Sequence, residues 1–285
     1  MKYRTLILMA IIVVILLAVV LLTGRKPEAK SIVSVEEIKK LRIERQTDTT
    51  EIEISNGGYR IVKPINYPAD SSLVANLINS LKGLQLGEVI SQREEKYDDF
   101  EVGEKGIRLI IKNKKDIAFI LGKYAGDYQH SYLRFVDDRK VYLVKGINKF
   151  LIDRRPDDWR DKTILRIDRN LIERIVIDGE EIIKKDTLWF YGEQFLEKQK
   201  IDNILNLVSN LRASGFCDTA TFIAKRQIKI FAGGEYTLEI GDKRDYNYLV
   251  KLPDKPAIFL ISEYIVNNFL NLISVEEKEK IKHKT

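Results

Sequence analysis

The sequence predicts an α+β protein: an N-terminal transmembrane helix followed by two tandem repeats, each a mostly antiparallel sheet with one amphipathic helix. Three observations carry this reading. Leu6–Leu22 is an unbroken apolar run, LILMAIIVVILLAVVLL. From Leu41 onward, short stretches alternate between apolar and polar residues and are separated by turn residues, the pattern of half-buried strands. The order of those stretches around one helical segment then occurs a second time, the mark of an internal repeat.

The apolar run comes first. As a helix, Leu6–Leu22 extends about 26 Å, close to a hydrocarbon core of about 30 Å. A helix also bonds all its own backbone groups, which lipid demands. Lys2 and Arg4 precede the run, and Leu21-Leu22-Thr23-Gly24-Arg25-Lys26-Pro27 ends it. No A-x-A-like triplet appears at that end, two cations stand where cleavage would fall, and no cysteine follows for lipid attachment. Residues 1–24 are therefore expected to be an uncleaved signal anchor that engages the bilayer through Leu6–Leu22. The flanking cations nearly balance. The short tail before the run places the N-terminus inside and the large domain outside. Residues 25–37 form a polar linker.

Charged residues make up 32% of the chain and the net charge is +6. Acids and bases alternate, as in Arg93-Glu94-Glu95-Lys96, so no basic stripe marks a nucleic-acid partner. Cys217 is the single cysteine, which excludes an intrachain disulfide and a cysteine-based zinc site.

The first repeat is placed at 38–158. Leu41–Arg45 and Glu51–Ile54 alternate, and Asn56-Gly57-Gly58 is the strongest hairpin signal in the chain, because Asn and Gly accept positive φ. Tyr59–Lys63 returns. Pro68-Ala69-Asp70 opens a helix whose Val74, Leu77, Ile78 and Leu81 fall at i, i+3, i+4, i+7. Gly83 and Gly87 close it. Strands follow at Ile107–Lys112, Ile117–Leu121, Ser131–Val136 and Val141–Val144, then a short closing helix at Gly146–Ile152.

The second repeat is placed at 159–272, with a charged tail at 273–285. Glu173–Ile177, Glu181–Lys185 and Leu188–Tyr191 answer the first strands. Asp202–Leu211 answers the helix, with Asn206-Leu207 laid over Asn76-Leu77. Gln227–Phe231, Tyr236–Ile240, Tyr246–Lys251 and Ile258–Ile261 answer the later strands. Gly241 corresponds to Gly122, and Tyr248-Leu249 to Tyr132-Leu133.

Three stretches carry a family resemblance: the hairpin, Pro-Ala-Asp and helix of Asn56–Leu81; the strand, glycine, loop, tyrosine and strand of Leu109–Val144; and the connector Trp159-Arg160-Asp161-Lys162-Thr163-Ile164-Leu165. In these the chain resembles a bacterial envelope family known as domain-of-unknown-function family 4340, from Ile38 to about Leu272. The resemblance implies an accessory protein of a gliding-motility-type ABC transport system at the bacterial cytoplasmic membrane. A transporter permease is the partner it implies. It supplies no catalytic residues.

The residues themselves point away from catalysis. No G-x-S-x-G elbow is present, and the histidines are His130 and His283 alone. No cofactor or metal is expected: Gly103–Gly106 lacks the Lys-Ser/Thr of a phosphate loop, and the acids of Glu94–Asp99 lack EF-hand spacing. The expected function is a non-enzymatic interaction component. Its candidate partner contacts are Arg155, Trp159 and Arg160, in the densest polar cluster, and Tyr124, Tyr128 and Tyr132, an aromatic loop. Trp, Tyr and Arg are common interface anchors, although a Trp159 that packs the two repeats together while Arg and Asp pair locally is the plainer reading. A glycan-, lipid- or peptide-binding module using a groove between the repeats is the alternative, and a hydrolase the remote one.

Overall fold

The two-residue turn Asn56-Gly57 joins Ser55 directly to its cross-strand partner Gly58, whose φ of +115° is open to glycine at low cost. That hairpin belongs to the first sheet. The computed structural model describes residues 38–113 and 116–273, with Tyr3 and residues 12–15. The expected anchor lies almost wholly outside the described residues, and the linker 25–37 and the tail from residue 274 lie outside them. Among the described residues, no helix is long and apolar enough to cross a membrane. The architecture is mixed α+β with antiparallel sheets and few helices, and the chain divides into two compact units between Trp159 and Arg160.

The first unit contains β1 (Lys40–Glu44), β2 (Thr49–Ser55), β3 (Gly58–Lys63), β4 (Tyr67–Pro68), helix α1 (Ser71–Lys82) and β5 (Gln85–Ser91). A short helix α2 (Tyr97–Phe100) leads to β6 (Ile107–Lys112), β7 (Ile117–Tyr124), β8 (Ser131–Phe135), β9 (Val141–Lys145) and helix α3 (Lys149–Ile152). The nine strands run in the order β4-β3-β2-β1-β6-β7-β8-β9-β5. One sheet face carries Leu41, Ile43, Ile52, Ile61, Leu109, Ile111, Phe119 and Leu133, all buried. Val74, Leu77 and Leu81 of α1 belong to the same core cluster, as does Trp159. Asp70 caps α1, its carboxylate accepting from the backbone N–H of Ser72 and Leu73. The strand β5 departs from the sequence reading, which ended the helix there and expected no strand. Gln85–Ile90 does not alternate, and its pairing to β9 slips register twice. The partner strand, distant in sequence, makes it a strand.

The second unit contains β10 (Thr163–Arg166), β11 (Arg174–Ile177), β12 (Glu180–Lys185), β13 (Leu188–Tyr191), β14 (Gln194–Phe195), helix α4 (Lys198–Ser209), β15 (Asn210–Arg212) and β16 (Gly215–Phe216). Then follow β17 (Arg226–Phe231), β18 (Glu235–Arg244), β19 (Asn247–Lys251), β20 (Ile258–Ser262) and helix α5 (Glu263–Ile273). Its main sheet has the order β14-β13-β12-β11-β17-β18-β19-β20-β16, strand for strand that of the first unit, and β10 pairs with β15 apart from it.

The helices correspond too, but one turn away from the alignment expected. Buried Val74, Leu77 and Leu81 of α1 answer buried Ile201, Ile204 and Val208 of α4, so Asn206 does not answer Asn76. A three-residue slip almost preserves a 3.6-residue stripe, which is why the apolar pattern tolerated the wrong register. Leu211 extends that stripe on paper, yet Asn210 leaves helical geometry at φ −140° and Leu211 pairs with Leu165 as a strand.

Gly122 and Gly241 hold the same place in both units, each inside a register shift of its strand. A Cβ on Gly122 would stand 2.1 Å from the Phe100 carbonyl oxygen, because the chain leaving α2 crosses there. At Gly241 the nearest atoms are the Phe222 ring at 2.9 Å and the Ile223 carbonyl oxygen at 3.0 Å. Gly122→Ala is therefore expected to cost about 2 kcal/mol through overpacking against backbone. Gly241→Ala is expected to cost less, since a ring edge can yield. Urea unfolding of the two variants checks the difference in order.

Candidate functional site

The β7–β8 connection of the first unit, Ala125–His130, is held by one carboxylate. Asp127 accepts from the backbone N–H of Gln129 at 3.0 Å and of His130 at 3.1 Å, and its other oxygen meets His130 Nδ1 at 2.5 Å. Ala125 N–H closes the loop on the His130 carbonyl at 2.8 Å. These bonds, the His130 side chain first, hold the Asp127 carboxyl down at about 2. Because that value lies below the ordinary 3.8, the carboxylate supports the loop above pH 4 and loses that role as pH falls toward 2. A carboxyl carbon titration of Asp127 by NMR should show a midpoint near 2, and the amide shifts of Gln129 and His130 should move with it.

The loop's tip is an exposed aromatic residue. Tyr128 sits at φ +55°, a left-handed conformation that a bulky side chain rarely adopts, and is 82% exposed. Tyr124 lies against Phe150 of α3 with ring centroids 5.7 Å apart and the planes tilted by 39°. Phe150 is itself 72% exposed. Lys149, one residue earlier, pairs with Glu101 at 2.7 Å. Tyr132 packs half-buried on Phe100 at 4.7 Å.

The second unit repeats this corner. Asp245 turns the β18–β19 hairpin at φ +53°, and the next residue, Tyr246, is 82% exposed. The Tyr246 carbonyl accepts from the Glu263 N–H at 2.8 Å, tying the tip to the start of α5. Tyr264 follows, 67% exposed, at the α5 position that answers Phe150: two residues on lie buried Val266 and buried Ile152. Glu263 pairs with Lys243 at 2.6 Å. That hydrogen bond holds the Glu263 carboxyl down and the Lys243 ammonium up. Each unit thus presents a hairpin-tip tyrosine and a closing-helix aromatic, braced by an ion pair at the helix start. Exposed aromatic faces suit stacking, or insertion into a partner's apolar cleft.

The six residues expected to meet a partner separate accordingly. Tyr124, Tyr128 and Tyr132 lie at this corner, Tyr128 outermost. Arg155 is exposed and bonds Asp158. Trp159 and Arg160 are interior: Trp159 lies in the first unit's core. Arg160, 1% exposed, pairs with Asp218 at 2.6 Å and lies 3.5 Å over the Phe216 ring. Phe150, Tyr246 and Tyr264 were missed by the sequence reading. The dipeptide Asp-Tyr at both tips, 127–128 and 245–246, is the signal that finds the second corner. Among the described residues, no group of three or more His, Cys, Asp or Glu is placed to hold a metal ion.

Residues 60–230 match the family model described as Domain of unknown function (DUF4340). The chain belongs to that family. No curated protein and no solved structure matches it.

Proposed function

We propose that this chain is a non-enzymatic, single-pass envelope protein. In this reading Leu6–Leu22 anchors it in the bacterial cytoplasmic membrane, with the domain on the extracytoplasmic side. Its two units, descended from one duplicated module, form an interaction component of a membrane assembly. The observation that carries the reading is the aromatic corner built twice, at the same hairpin and the same closing helix, with a tyrosine held in a strained backbone at one tip. Backbone strain that persists in a native fold points to function. An ABC-type transporter as the assembly rests on the resemblance of the connector and repeats to the family alone.

The test is affinity capture of the full chain from gently solubilised membranes, followed by mass spectrometry. A permease or ATPase subunit should co-purify with the unaltered protein and fall at least severalfold in a Tyr128→Ala/Tyr246→Ala variant. Recovery of the protein alone overturns the reading. Equal recovery with both proteins moves the contact away from the corners.

A further inference from the structure

We infer that the second unit carries a binding site for a small apolar carboxylate, in the pocket between the first turns of α4 and the β13–β14 hairpin. The pocket encloses about 380 Å³, within the range of small-ligand sites. Its floor is apolar: Trp189, Leu196, Ile201 and Leu205 are each 5% exposed or less. Its rim is basic, with Lys184 and Lys198. Asp202, the one carboxylate in the lining, is bonded by Arg169, which also bonds Asn206 at 2.6 Å. Among the described residues, neither Lys184 nor Lys198 has an acidic partner. The charge left to a ligand is therefore positive.

Comparison with the first unit sharpens the chemistry. There the matching helix start is capped from within: the Asp70 carboxylate caps α1, and the Asp70 N–H donates to the Trp159 carbonyl at 2.8 Å. In the second unit Glu197 occupies the N-cap position and makes no side-chain cap. Its side chain instead reaches Lys200. An internal carboxylate thus serves the first unit, and the second keeps an open pocket, two unpartnered cations and uncapped N–H groups. A ligand with an apolar body for the Trp189 floor and one carboxylate for the lysine rim satisfies all three. The site is independent of the aromatic corners.

The full chain in lipid nanodiscs can be titrated with 4-phenylbutyrate while tryptophan emission is followed. Trp189 lies in the pocket, whereas Trp159 lies in the other unit's core. A saturable change in emission is expected, with affinity lowered about tenfold or more by Lys184→Gln/Lys198→Gln and equally by using 4-phenylbutanamide. Both lysines are exposed, so the variant keeps its fold. Equal binding of acid and amide, unchanged affinity in the variant, or no saturable binding overturns the inference. Tighter binding of N-acetylphenylalaninate than of 4-phenylbutyrate also overturns it, in favour of a peptide carboxy terminus.

Discussion

Trp159→Ala should destabilise the first unit by about 3–5 kcal/mol, the cost of emptying a fully buried aromatic site. Trp159 is 0% exposed and shares a core cluster with Val74, Leu77 and Leu81 of α1 and with Ile152 of α3. Its carbonyl also receives the Asp70 N–H. The indole Nε1 has no hydrogen-bond partner among the described residues, so the side chain acts through volume. Trp159→Phe, which loses part of that volume and no hydrogen bond, should cost about 1–2 kcal/mol. Denaturant unfolding followed by far-UV circular dichroism measures both. A loss below 1 kcal/mol for the alanine variant would show that the site collapses or is not filled as described.

Asp218→Ala should cost about 3 kcal/mol, for an electrostatic reason. Removing one member of a buried pair strands the other's charge, which typically costs about 3–5 kcal/mol. The Asp218 side chain is 31% exposed, so water screens part of the interaction and the low end applies. The buried Arg160 guanidinium would lose this carboxylate, and the Ile258 N–H would lose its bond to the other Asp218 oxygen at 3.3 Å. Arg160→Met should cost less, since it leaves the partly hydrated carboxylate instead of the buried cation. A double variant close to Arg160→Met alone, in the same unfolding experiment, would establish the coupling. Additive losses would refute it.

These two neighbours in sequence show where reading residues alone stops. A dense cluster of Arg, Asp and Trp at 154–162 resembles a contact surface. Only the fold reveals that Trp159 turns into one core and Arg160 into another, because the core of each unit is assembled from strands far apart in the chain. What depended on local chemistry was legible: the Asn56-Gly57 hairpin, the Asp70 cap, the alternating strands and the correspondence of Gly122 with Gly241. The strand β5 was not, since its pairing with β9 overrides a sequence without alternation. The helix register slipped by a turn because a 3.6-residue stripe barely distinguishes such shifts. At the corners, Tyr128 was legible as part of an aromatic loop, whereas Phe150 and Tyr264 depended on which face of a closing helix the core takes.

The position of β1 has a mechanical consequence. It is the first strand among the described residues, yet it lies inside the sheet, with five registered residue pairs to β2 on one side and five to β6 on the other. Tension applied from the N-terminus therefore reaches two ladders at once, and along the strand it pulls them in shear instead of peeling them one bond at a time. A chain held by its N-terminus would resist stretching at the point where the force enters. A truncation that removed Lys40–Glu44 would instead split the sheet between its β2 and β6 sides.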